Sequence, residues 1–304
     1  MNICEVYREL ASVIPEGQLL KDVPMKDHTS FRIGGPADLM VLPSEVEHIR
    51  HALKVCQKWN VPFMVMGNGS NLLVRDKGIR GVVIKIASTF NGVWIEGCCI
   101  RAQSGALLSA ICKKALQAEL KGLEFASGIP GTLGGAIVMN AGAYGGEIKD
   151  VVARARVMDT EGNELCLSNA ELEFGYRTSY VQKKRLIVLE AELALSPGRY
   201  EDIKAVMADL TRRRQEKQPL SLPSAGSVFM RPPGYFAGRL IEDSGLKGYR
   251  VGDAQVSEKH AGFIVNLGNA TANDVLVLIE VIRQRVKEKY GVELTPEIKV
   301  VGEG

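Results

Sequence analysis

Apolar residues recur along this chain in two periods. Behind Ser44 and Glu47, which make a Ser-x-x-Glu capping box, Val46, Ile49, Leu53 and Cys56 fall at helical spacing and predict a helix over 44–59. Short apolar runs at 61–66, 82–86 and 93–100 read as strands. Leu107, Leu108, Ile111, Ala115 and Leu116 predict a second helix, and the runs 151–158 and 185–195 further strands. The charged stretch 200–218 carries Ile203, Val206, Met207 and Leu210 on one helical face before Pro219 and Pro223 stop it. Near the end, Thr271 and Asp274 form another capping box, Val275, Leu278, Ile279, Ile282 and Val286 a buried stripe, and Gly291 the stop. A last strand is expected over 295–301, and no internal repeat is visible.

With 304 residues, and about 150 per domain, the chain is long enough for two domains, divided near the charged helix as 1–198 and 199–304. Hydrophobic residues at 46% and charged ones at 24% exclude disordered, collagen-like and coiled-coil chains. Basic residues exceed acidic by 38 to 35, too small an excess for a nucleic-acid partner. The amino terminus lacks a basic start and a long apolar run, so neither secretion nor membrane insertion is expected. Six cysteines without a Cys-x-x-Cys pair read as reduced cytosolic thiols. His48 and His51 share a helix face with no third ligand, so they are expected on a solvated surface and no metal site is expected.

Glycine changes the picture, because seven of the nineteen residues over 128–146 are glycine. Neither helix nor strand interior tolerates that density without cost, so this backbone is built for close approach. Two loops are candidates for a phosphate-bearing ligand. Gly67, Asn68, Gly69, Ser70 and Asn71 follow a strand and offer successive amides to a pyrophosphate. Gly128, Ile129, Pro130, Gly131, Thr132, Gly134, Gly135 and Ala136 form the second. Leu72 stands where a Gly-x-Gly-x-x-Gly fingerprint needs its last glycine, and no Gly-x-x-x-x-Gly-Lys occurs. Together the loops suggest an extended dinucleotide; the competing reading is a pair of tight interdomain turns. Polar residues in constrained turns, Arg177, Ser227 and Glu297 among them, could complete a site or serve as ordinary surface and turn residues. Ser227 does not sit in a Gly-x-Ser-x-Gly elbow, which disfavours a hydrolase.

The ordered series Thr29-Ser30-Phe31-Arg32-Ile33-Gly34-Gly35, Gly67-Asn68-Gly69-Ser70-Asn71, Gly128-Ile129-Pro130-Gly131-Thr132, Tyr176-Arg177, Gly226-Ser227 and Pro296-Glu297 resembles the UDP-N-acetylenolpyruvoylglucosamine reductases over nearly the whole chain. That resemblance implies an α+β fold, with an FAD-binding domain of the vanillyl-alcohol-oxidase (PCMH) type in two subdomains and a C-terminal α+β substrate domain. It implies noncovalent FAD, NADPH as co-substrate, and UDP-N-acetylglucosamine enolpyruvate reduced to UDP-N-acetylmuramate for peptidoglycan, by a cytoplasmic monomer. By the same resemblance the two glycine loops hold FAD, Arg177 and Glu297 stabilise the intermediate, and Ser227 donates the proton. Glu297 would act as the neutral acid, with a raised pKa. Tyr176, Arg214, Arg231 and Lys259 are the candidates for holding substrate. Only fifty positions separate Arg177 from Ser227, as in the shorter-loop class. Two other functions compete with it: a related flavin oxidoreductase acting on an alcohol or sugar, and a noncatalytic nucleotide-sugar binder.

Overall fold

In the computed structural model, which describes residues 3–304, Ala155, Ala191 and Ala102 lie in register across three neighbouring strands. All three are buried, and their small side chains let the helix Leu133–Met139 settle on the central strand Ile187–Ala194. The five-stranded antiparallel sheet runs Glu164–Ser168, Val152–Met158, Ile187–Ala194, Cys99–Gln103, Val93–Glu96. Side chains alternate between faces, so the neighbouring positions make a polar row on the other side. There Arg154 pairs with Glu192 at 2.7 Å, and the Arg101 guanidinium lies 4.8 Å from the Trp94 ring centre. The expected strand over 93–100 is two strands of a hairpin. Gly97, at φ 60°, takes the left-handed turn position that lets Glu96 pair with Cys99.

Contacts divide the chain into two units. The first comprises residues 1–21, 39–68 and 81–214, and the second 22–38, 69–80 and 215–304. Besides the five-stranded sheet, the first unit has a core in which Val6, Leu10, Ile49, Leu53 and Cys56 of two helices meet Leu39, Val82 and Ile84. The strand Phe63–Met66 is parallel to its neighbour there, with Met64 opposite Val83 and Met66 opposite Lys85.

The helix Val46–Lys58 forms as its periodicity predicts, but the Ser44 capping box does not. Ser44 Oγ instead donates to Gln18 Oε1 at 3.1 Å and lies 3.3 Å from His48 Nδ1, leaving Glu45 as an uncapped first position. His48 is buried, and His51 Nε2 sits 3.0 Å from the Glu9 carbonyl, so neither is the solvated surface histidine expected. The helix Ile3–Leu10, which supplies that carbonyl, packs on this one.

In the second unit the capping box at Thr271 is present. Thr271 Oγ1 accepts from the Asp274 N–H at 3.1 Å, the Asp274 carboxylate accepts from the Thr271 N–H at 2.9 Å, and Gly291 closes the helix Ala272–Tyr290 at φ 68°. Asp76 also caps this helix, accepting the N–H groups of Ala272 and Asn273 at 2.8 and 3.1 Å. The helix packs on the small antiparallel sheet of Arg250–Val251, Ala254–Val256 and Ile264–Asn266. Buried Asn266 donates to the Phe31 carbonyl at 3.2 Å, tying the segment 22–38 into this core.

Candidate active site

Both glycine loops contain positions, Gly67 in one and Gly128 and Gly134 in the other, whose surroundings leave no room for a side chain. A Cβ on Gly67 would lie 2.3 Å from Thr132 Oγ1, so the structure brings the two loops together at this point in the first unit. A Cβ on Gly134 would lie 2.9 Å from the Ser104 Cβ, because the Gly134 N–H donates to the Ser104 carbonyl at 2.8 Å. Leu108 N–H donates to the Gly131 carbonyl at 3.0 Å and Leu133 N–H to the Ala106 carbonyl at 2.9 Å, which fixes the loop end to end. Thr132 caps the helix behind, while Gly135 and Pro130 stay exposed and Ile129 partly so. Among the described residues, the buried Ser104 Oγ has no hydrogen-bond partner, and a buried hydroxyl in that state costs free energy. A backbone cradle with one unspent hydroxyl fits an extended dinucleotide rich in phosphate and hydroxyl groups.

Farther along the first unit, the N–H of Gly175 donates to the Thr178 carbonyl at 3.0 Å and that of Thr178 to the Gly175 carbonyl at 3.3 Å. Tyr176 and Arg177 form the tip of this tight turn. Arg177 is held at φ 55°, a region that costs a residue with a Cβ about 1 kcal/mol or more. Its Nη2 donates to the Gly142 carbonyl at 3.4 Å, and its guanidinium lies 5.2 Å from the exposed Tyr176 ring. Arg214, on the helix Tyr200–Lys217, is half-buried; a Cβ on Gly128 would meet its Nη1 at 2.7 Å, so that glycine makes room for the guanidinium. Burial lowers the Arg214 pKa, yet guanidinium stays charged in proteins.

The second unit gathers the remaining candidates. Ser227 is bridged to Phe263, and Phe229 to Pro296, so one extended segment lies between two others. Val228 is its centre, accepting from the Glu297 N–H at 2.7 Å and donating to the Gly262 carbonyl at 2.9 Å. That pairing leaves the exposed Ser227 and half-buried Glu297 close in the fold with their backbones fixed. Asn71 joins them, its Nδ2 donating to the Glu297 carbonyl at 3.3 Å and its own carbonyl accepting from Lys299 at 2.9 Å. Gly69 accepts from the Ser30 N–H at 3.2 Å, and Ser30 Oγ donates to the Ser224 carbonyl at 2.7 Å, close in sequence to Ser227; Ser70 lies between Gly69 and Asn71. Arg231 and Lys259 are both exposed. The Arg231 guanidinium stacks 4.0 Å from the Phe236 ring centre, and Lys259 Nζ donates to the Gln215 carbonyl.

Two further residues carry no signal of their own in the sequence, Ser104 and Asn140, and only their burial marks them. His260 is half-buried, its Nδ1 accepts from the Gly262 N–H at 3.1 Å, and burial lowers its pKa. The neutral ring therefore carries its proton on Nε2.

Residues 37–168 match the FAD binding domain family, and residues 218–301 the C-terminal domain of UDP-N-acetylenolpyruvoylglucosamine reductase. A UDP-N-acetylenolpyruvoylglucosamine reductase of Alkaliphilus oremlandii is 56% identical over 303 residues, covering 100% of both chains. One from Clostridioides difficile is 53% identical over 303 residues, again covering 100% of each. The crystal structure of UDP-N-acetylenolpyruvylglucosamine reductase from Thermus caldophilus superposes with a TM-score of 0.79 at 38% identity, covering 93% of this chain and 97% of that one. The chain belongs to the UDP-N-acetylenolpyruvoylglucosamine reductase family, FAD-dependent oxidoreductases of peptidoglycan synthesis that use NADPH to reduce the enolpyruvyl ether of UDP-N-acetylglucosamine.

Proposed function

We propose that Arg177, Ser227 and Glu297 carry the substrate half of this reaction, and that the two glycine loops hold the flavin. FAD, when bound, supplies to the terminal carbon of the enolpyruvyl ether the hydride it takes from NADPH. Negative charge then spreads onto the neighbouring carboxylate, where donors placed beforehand stabilise it most. Arg177 meets that charge as a permanent cation. Glu297 meets it as a neutral acid, donating its proton in a hydrogen bond. Ser227 protonates the adjacent carbon: a C–H bond forms, the serine O–H bond breaks, and the alkoxide recovers a proton from water.

The observation that supports this reading is the pairing of the Ser227 segment with both the Phe263 and the Pro296 segments, which holds the backbones of Ser227 and Glu297 close together. For the cofactor, the closely apposed Gly67 and Thr132, with the unspent Ser104 hydroxyl, support Gly67 to Asn71 at the pyrophosphate and Gly128 to Ala136 along the isoalloxazine. Residues 1–198 are then chiefly the cofactor domain and 199–304 the substrate domain. Tyr176, Arg214, Arg231 and Lys259 bind the sugar and diphosphate, three of them as cations suited to phosphate. The enzyme works as a cytoplasmic monomer; six free thiols suit a reducing compartment, and no described helix is long and apolar enough to cross a membrane.

Ser227→Ala tests the assignment in two half-reactions. Reduction of the flavin by NADPH is expected to stay at the parent rate, while reoxidation by the enolpyruvyl substrate slows by roughly 10²–10⁴-fold, the usual worth of a positioned acid. Equal losses in both half-reactions would remove Ser227 from the proton-donor role.

A further inference from the structure

Asn140 ends the helix Leu133–Met139, in the left-handed region at φ 42°, and is fully buried. Its amide makes three hydrogen bonds. Nδ2 donates to the Gly175 carbonyl at 3.1 Å and to Glu147 Oε2 at 3.2 Å, and Oδ1 accepts from the Lys149 N–H at 3.1 Å. Glu147 is itself paired with Lys149 Nζ at 2.7 Å. Gly175 is the residue that opens the Tyr176–Arg177 turn, and its carbonyl is the one that Thr178 also uses to close it. The helix end grips the turn at two more points. Buried Ser179 donates from Oγ to the Val138 carbonyl at 2.9 Å, and Arg177 Nη2 reaches the Gly142 carbonyl, two residues beyond Asn140.

We propose that Asn140 is a positioning residue for Arg177: it locks the strained turn to the helix whose other end carries the glycine cradle. The inference rests on the reading of Arg177 as the cation of the substrate half-reaction. The chemistry asks for asparagine at this position. Asparagine is among the non-glycine residues that accept left-handed backbone most readily, and its amide both donates and accepts. Aspartate would keep the shape but lose the donors, and would set a second carboxylate against Glu147. Alanine would leave the Gly175 carbonyl short of one of its two donors.

The test is a double-mutant cycle on the FAD-loaded enzyme. Asn140→Ala is expected to leave flavin reduction by NADPH at the parent rate and to slow reoxidation by substrate on the order of 10²-fold, as a misplaced catalytic group does. In an Arg177→Ala background the same substitution should cost almost nothing more, because the group it positions is gone. Full additivity of the two losses would overturn the inference while leaving Arg177 its role. If Arg177→Ala by itself reoxidises normally, the reading of Arg177 falls and this inference with it. Should Asn140→Ala fail to fold, the isosteric Asn140→Asp carries the same cycle with the same two outcomes.

Discussion

The two units carry their proposed functional residues on different kinds of support. In the first, the proposed cofactor loops depend on what has been left out: Gly67 and Gly134 lack the Cβ that would strike Thr132 and Ser104, and the space opened is lined by backbone. In the second, the proposed residues are what has been added. Ser227 and Glu297 are side chains mounted on backbone already committed to Val228, Gly262 and Asn71. A cradle built from backbone is sensitive to added atoms, whereas a site built from side chains is sensitive to removed ones. Substitutions of the two kinds should therefore fail in different observables.

The largest effect is expected at the proposed substrate-facing side chains, Glu297 of the second unit and Arg177 of the first. Glu297→Ala and Arg177→Ala should each slow reoxidation by the enolpyruvyl substrate by about 10²–10³-fold, the range for losing one preorganised donor. Rapid-mixing absorbance of the pre-reduced enzyme measures it, and the flavin content should not change. On the backbone half, Gly67→Ala must displace Thr132 and should destabilise the fold by about 1–3 kcal/mol, with loss of FAD on gel filtration. Gly135→Ala is its control for stability alone, since the added Cβ would meet only Thr132 Oγ1 among protein atoms, at an ordinary 3.7 Å.

A smaller contrast separates two helix starts that look alike in sequence. Thr271→Ala should cost about 1 kcal/mol, read as a drop of a few degrees in the melting temperature, whereas Ser44→Ala removes no cap and should cost less. A further effect lies at alkaline pH. Burial pushes the thiols of Cys56 and Cys112 up to about 12, while in the unfolded chain they ionise near ~8.5. Between those values the unfolded state loses protons that the folded state keeps. Stability should thus be intact below about pH 8.5 and decline as pH rises toward 12. Denaturant midpoints across that window measure it, and Cys56→Ala should flatten the decline.

These contrasts also explain what could be read from the sequence. Periodicity found the helix Ala272–Tyr290 because one buried stripe decides it: Val275, Leu278, Ile279, Ile282 and Val286 are all buried. The two capping boxes differ because a local signature has to compete with tertiary partners. Thr271 meets none, whereas Ser44 is drawn off by Gln18 and His48. The hairpin at Gly97 was hidden by apolar residues on both sides of it, and Asp76 capping a helix 196 positions away leaves no local trace. For the proposed site, glycine density and the ordered motifs are the signals that single out the cradle and Arg177, Ser227 and Glu297. Asn140 and Ser104 stand out only by their burial, which a polar residue does not announce in the sequence.

The central claim is that cofactor holding and substrate protonation are separable. It is tested most directly by measuring flavin content and both half-reactions side by side for Gly67→Ala and Ser227→Ala. The account predicts a crossed result: Gly67→Ala loses FAD, while Ser227→Ala keeps a full complement of flavin, is bleached normally by NADPH and is not recoloured by the enolpyruvyl substrate. Two variants that lose flavin and both half-reactions in the same proportion would contradict it.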